Sequence, residues 1–179
     1  METRKFDLFV RGLPQAQGSA RAFINKRTGQ PILVSKTRNV TEWRQTIKDI
    51  VAWQWEGPPL DGAVALSLVF IVPRPPSAPK KRLFPATRPD VDKLARAAHD
   101  ALKGVAYTDD SRVITGAPTK LYGDEPGVHI LLQEIESPED VFAFYLAHGQ
   151  RVFDLMNPPE RSQHAKREGN AEEGPTAAL

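Results

Sequence analysis

Cysteine is absent from the 179 residues. Its absence excludes disulfides and thiolate-held zinc or iron–sulfur centres, and it suits a reducing compartment. Long apolar runs are missing as well. The longest, Ala63 to Val72, has ten residues with Ser67 inside it, and a membrane-spanning helix needs roughly twice that. The opening Met-Glu-Thr-Arg-Lys-Phe-Asp carries charge where a secretion signal carries its apolar stretch. These absences predict a soluble, cytoplasmic protein. No internal repeat is visible.

What is present is a lopsided charge. The net value is only +2, yet residues 1–89 hold 15 Lys/Arg against 6 Asp/Glu, and residues 90–179 hold 9 against 16. A basic half joined to an acidic half suggests a polyanion-binding surface beside a carboxylate cluster. The bland alternative is that ordinary surface charges happen to segregate.

Periodicity predicts a strand from Phe6 to Gly12, then a Gly/Pro/Gln loop from Leu13 to Ser19. A hairpin follows, Arg21 to Asn25 and Pro31 to Ser35, turning at Lys26-Arg27-Thr28-Gly29. Thr41 to Trp55 reads as a helix stopped by Gly57-Pro58-Pro59. The nearly continuous apolar run from Ala63 to Val72 predicts a central strand. Pro73 to Pro89, with six prolines, predicts an extended, solvent-exposed loop. A second helix is expected from Asp92 to Lys103, closed by Gly104. Strands follow at Arg112 to Leu121 and Val128 to Ile135. Ser137 and Pro138 open a last helix, with Val141, Phe144, Tyr145 and Val152 facing inward. The order implies one α+β domain on a mixed sheet over residues 1–136, a helical extension over 137–157 and a polar, disordered tail over 158–179.

The chemistry concentrates in Arg88-Pro-Asp-Val-Asp-Lys-Leu-Ala-Arg and in Tyr107-Thr-Asp-Asp-Ser. Pro89 favours an extended entry, so Asp90 and Asp92 share a side just before the helix begins. The helix dipole favours anionic groups there. Asp110 meets the pair only if the chain doubles back through the Gly104 to Thr108 turn. Several carboxylates at one point stay ionised together only around a cation. With oxygen ligands alone, Mg²⁺ is the natural choice and Mn²⁺ its substitute. Such an ion polarises a phosphodiester and activates water. The bland alternative makes Asp90 or Asp92 a helix cap and Asp109-Asp110 a solvated turn.

The stretch from Arg88 to Val113, with Asp-Val-Asp-Lys-Leu, Asp-Ala-Leu and Asp-Asp-Ser-Arg-Val, resembles the RusA family of Holliday junction resolvases. The match is specific from Arg88 to Ile135 and looser from Phe6 onward. The resemblance implies a homodimeric, Mg²⁺- or Mn²⁺-dependent endonuclease that cuts four-way DNA junctions symmetrically, of phage or prophage type. It implies that Asp90, Asp92 and Asp110 bind the metal and act in catalysis. Asp100 and Asp109 match further acidic positions of the family. Lys93 stands where the family has Asn, and Arg96 where a functional lysine is typical. Arginine cannot relay a proton but can hold a phosphate in a bidentate fork, so Arg96 is expected to stabilise the scissile phosphate. The alternative is an ion pair with Asp92 and Asp100 at i±4.

Arg21, Lys26, Arg27, Lys36 and Arg38 around the hairpin, with Lys80, Lys81, Arg82 and Arg88 in the proline-rich loop, form the expected DNA-binding set. Phosphate contacts of this kind give affinity without base readout, which suits recognition of junction shape. Phe84 either wedges into the junction or caps the core. His99 lies on the polar flank of the second helix, and no histidine has metal-ligand spacing to another. Competing functions are a non-catalytic DNA-binding protein on the same fold and a nucleotide-sugar transferase using Asp90-x-Asp92.

Overall fold

The computed structural model describes residues 3–18, 21–24, 31–34 and 38–157. Along Ala63–Val72 (β4), nine of ten residues are buried, because β4 has strand neighbours on both edges and helices on both faces. The main sheet runs β1 (Lys5–Arg11), β6 (Gly127–Ile135), β4, β5 (Val113–Tyr122). β1 and β4 both pair antiparallel with β6, while β4 and β5 run parallel. A separate ribbon pairs β2 (Arg21–Ile24) with β3 (Pro31–Val34). Three α-helices complete the described residues: α1 (Arg38–Gln54), α2 (Val91–Leu102) and α3 (Pro138–Met156).

Period-2 alternation sorts the strands onto two faces. On one, Leu8 and Val10 of β1, Leu66, Leu68 and Phe70 of β4, and Ile130 and Leu132 of β6 form a cluster with the two packed helices. α1 contributes Trp43, Ile47 and Val51, and α2 contributes Leu94, Ala98 and Leu102. Each of the larger aliphatic or aromatic side chains adds about 1.5–3 kcal/mol by leaving water. On the other face Val69, Ile71 and Leu121 pack with Phe9 and with Val152 and Leu155 of α3. The α+β fold expected from the element order is therefore present, with helices on both sides of the sheet. Gly12, at the end of β1, has φ +139° and lies so close to Trp43 that a Cβ would stand 2.7 Å from its ring. Only glycine fits that turn.

The proline-rich segment is largely solvent-exposed, as expected. It is not simply extended: part of it folds around Arg74, whose guanidinium donates to the carbonyls of Pro79 (2.7 Å), Lys80 (3.3 Å) and Arg82 (2.8 Å). The same guanidinium sits 5.2 Å over the Tyr122 ring. Five donors on one planar group satisfy several orphan carbonyls at once. α3 is closed at its start by a capping box between Ser137 and Asp140. Of its expected inward residues Phe144 is fully buried, Val141 and Val152 are half-buried, and Tyr145 is exposed with its hydroxyl against Thr115. The expected disordered tail, 158–179, lies outside the described residues.

Candidate metal and nucleic-acid site

Asp90 is the N-cap residue of α2 by backbone (φ −71°, ψ 135°), but its side chain makes no capping hydrogen bond. The simple cap reading therefore fails for this carboxylate. It faces the Lys93 ammonium at 2.8 Å instead. The hydrogen bond and charge of Lys93, helped by Arg88 and Lys120, hold the Asp90 carboxyl below its usual range. Asp92, in the first turn of α2, is exposed and has no ion pair or hydrogen bond among the described residues. Arg96, one turn further, is likewise exposed and unpaired. Its expected partner Asp100 is taken by Arg44 of α1.

The segment leading into Asp90 is held from below. Lys120 near the end of β5 donates to the carbonyls of Thr87 and Pro89, both at 2.6 Å. Burial lowers the Lys120 pKa, and the Asp90 carboxylate opposes that shift. On the other side the amide of Gln17 donates to the Lys93 carbonyl at 3.0 Å. The Leu13 to Gln17 loop, Lys120 and the α2 entry thus form one rigid assembly. Sequence reasoning missed Lys120. Strand alternation alone gives it no signal, because its role depends on α2 lying antiparallel beside β5.

Asp110 is elsewhere. The chain after Gly104 is pinned to the segment before β4: the Leu60 amide donates to Ala106, the Thr108 amide to Leu60, and the Thr108 hydroxyl to Asp61. That places Asp109 and Asp110 at the starting edge of the parallel β4–β5 pair, whereas Lys120 and Asp90 sit at its finishing edge. The Asp110 charge is felt at His99, Lys103 and Tyr107. Seven residues of helix, about 10 Å, separate Asp92 from His99. A shared cation needs its ligand oxygens about 2 Å from the ion. Among the described residues no three His, Asp or Glu side chains come together as a metal site. Convergence of Asp90, Asp92 and Asp110 within one chain, expected from the doubling-back, does not occur.

Asp109 has a structural task. It accepts from the Ser111 amide at 3.0 Å and pairs with Lys103 at 2.6 Å. Lys103 and Ser111 hold its pKa well below the carboxylate range, and Asp109 raises that of Lys103. His99 is kept toward its neutral form by burial, and its backbone carbonyl accepts from the Tyr107 hydroxyl at 3.1 Å.

The model of the endodeoxyribonuclease RusA family matches residues 14–133, from the loop after β1 to within β6. The chain belongs to the RusA endodeoxyribonuclease family. The matched span includes Asp90, Asp92, Asp100, Asp109 and Asp110, whereas α3 lies beyond it. A curated relative, "Uncharacterized protein YqaN" of Bacillus subtilis (strain 168), is 28% identical over 147 residues, which is 76% of this chain and the whole of the relative.

Of the expected DNA-binding set, Lys26, Arg27 and Lys36 lie outside the described residues. Arg21 opens β2 and Arg38 opens α1, and the structure describes their backbone only. Lys80 and Lys81 are exposed and Arg82 is half-buried on the Arg74-organised loop. Arg88 is exposed immediately before the Asp90 site. No helix among the described residues is long and apolar enough to cross a membrane.

Proposed function

We propose that this RusA-family protein is a divalent-metal-dependent endonuclease that resolves four-way DNA junctions as a homodimer, with one cutting site per protomer. The observation carrying this is the α2 entry, where two carboxylates without capping duties stand among Arg88, Lys93, Arg96 and Lys120. Mg²⁺ is typically held by one or two carboxylates, with waters and substrate phosphate completing its shell. The exposed Asp92 and the uncapped Asp90 fit that pattern, and Mn²⁺ would serve the same oxygen donors. When bound, the ion supplies Lewis-acid polarisation of the phosphodiester and a more acidic water. Arg88 and Arg96 bind the strand's phosphates, Arg96 as a fixed fork on the scissile group. Lys120 keeps the Asp90 backbone in place, so the carboxylates need no reorganisation on substrate binding.

Asp110 stands at the other end of α2, so in this reading it completes the metal site from the second protomer. Mixing Asp90→Asn chains with Asp110→Asn chains tests this directly. A shared site regains activity in mixed dimers, up to about a quarter of the wild-type number of intact sites. No recovery would remove Asp110 from the metal site. For the reading as a whole, a synthetic four-way junction with Mg²⁺ is cut in wild type, and Asp90→Asn slows cutting at least about 100-fold. Junction binding without any cutting by wild type would favour a non-catalytic junction-binding protein instead.

A further inference from the structure

Beside the α2 entry lies a cavity of about 380 Å³ that the metal site does not use. Its floor is Val72 and Tyr122, the last residues of the parallel strands β4 and β5, and its walls are the Leu13–Ala16 loop and the Pro73, Pro75, Pro85 and Thr87–Pro89 segments. We infer that this cavity receives one unpaired nucleobase of a DNA strand and so fixes the backbone next to Asp90. The inference rests on the nuclease reading and names the part of its substrate that is held there.

Four observations converge. The volume falls within the roughly 300–1,000 Å³ of small-ligand pockets, and the pocket sits at the carboxyl ends of parallel strands, where open α/β sheets bind ligands. Most of the lining is apolar, suited to the faces of a base, while Gln15, Thr87 and Arg88 supply polar groups for its edge. Tyr122 adds an aromatic ring to the lining. The rim is cationic: Arg88 belongs to the wall, Arg74 covers the Tyr122 ring, and the loop that Arg74 organises carries Lys80 and Lys81. A base seated in this pocket brings its own phosphate toward Arg88 and Lys93. Extracting a base from a stack costs a few kcal/mol, and least where it is already unpaired. Bases flanking an opened branch point have lost a stacking neighbour, so extraction costs least there and the pocket would favour branched over continuous duplex DNA.

Amide NMR of the intact protein with a deoxynucleoside 5′-monophosphate, in metal-free buffer, tests the pocket apart from junction cutting. Amides of Gln15, Ala16, Thr87, Arg88 and Tyr122 should shift together with increasing nucleotide. Thr87→Trp, which fills the mouth while leaving the Thr87 carbonyl to Lys120, should weaken that binding at least tenfold. A junction carrying 2-aminopurine at its branch should brighten when wild type binds and stay dark with Thr87→Trp. Shifts scattered away from these residues, or nucleotide binding unchanged in Thr87→Trp, would overturn the inference even if junctions are cut. Nucleotide binding at the pocket in a protein that ignores junctions would uphold it and count against the junction reading alone.

Discussion

The Lys120 ammonium donates to the Pro89 carbonyl at 2.6 Å, tying the far end of β5 to the residue before Asp90. A second bond to Thr87 makes the lysine a two-point clamp on the α2 entry. Methionine keeps the stem but leaves both carbonyls without this donor. Lys120→Met should cost about 1–3 kcal/mol, read as a lower denaturant midpoint at unchanged slope. Junction cutting should fall by more than this loss of folded protein accounts for. Equal folding and equal cutting would remove Lys120 as a positioning residue.

Lys93 pairs with the Asp90 carboxylate at 2.8 Å. In the proposed function a divalent ion uses the same oxygen, so the ammonium and the ion would compete for it. Lys93→Asn should lower the Mg²⁺ concentration giving half-maximal cutting, several-fold at low ionic strength. Isothermal titration with Mn²⁺ checks the same shift without turnover. A rise in the required Mg²⁺ would assign Lys93 to substrate rather than to metal competition.

Arg96 is exposed and has no partner among the described residues, while Asp100 is engaged by Arg44, so its removal strands none of them. Arg96→Ala should leave the thermal midpoint within about 1 °C, as surface substitutions do. Its cutting rate should drop about 10²–10³-fold, the scale of one lost transition-state donor. Junction affinity should fall steeply as salt rises from about 50 to 200 mM, the mark of phosphate contacts. A flat salt response would count against the basic surface.

Burial lowers the pKa of His99, His129 and His148 below 6.5. His148 also meets the Ser67 hydroxyl at 2.5 Å, joining α3 to the sheet. Below about pH 6.5 the unfolded chain takes up protons that the folded chain refuses, so stability is full above that pH and declines as pH falls. Depressed carboxylates at Asp61, Asp109 and Asp140 add a second decline below their ordinary range near 3.8. Urea midpoints at pH 8 and pH 5.5 measure the first decline, and His148→Gln should flatten part of it.

α3 lies beyond the family match yet covers Val69, Ile71 and Leu121 of the sheet. Ending the chain at Glu136 should expose that face. The shortened protein should bind a hydrophobic dye strongly and aggregate, whereas a free-standing 14–133 domain would stay monodisperse.

Much of this was legible in the residues themselves. The β4 run, the helix stop at Gly104 and the capping signal at Ser137 are local features. They follow from turn chemistry and hydrophobic period, and the structure has each of them within a residue or two of its expected place. Asp92, expected beside Asp90 ahead of the helix, instead lies in the first turn of α2, which begins at Val91. Arg74 has no local signal beyond its charge, yet it folds the proline loop because its donors reach carbonyls five to eight residues away.

Asp110 marks the boundary. Its neighbours in sequence permit either end of α2, and no local preference distinguishes them. Leu60 and Asp61, some fifty residues earlier, decide it by hydrogen-bonding the Ala106–Thr108 turn to the start of β4. The chain thus determined where its acidic and basic side chains fall along the sequence and which segments become helix or strand. Where those side chains stand relative to one another was decided by long-range backbone pairing, because register between distant segments comes from contacts that no short stretch contains.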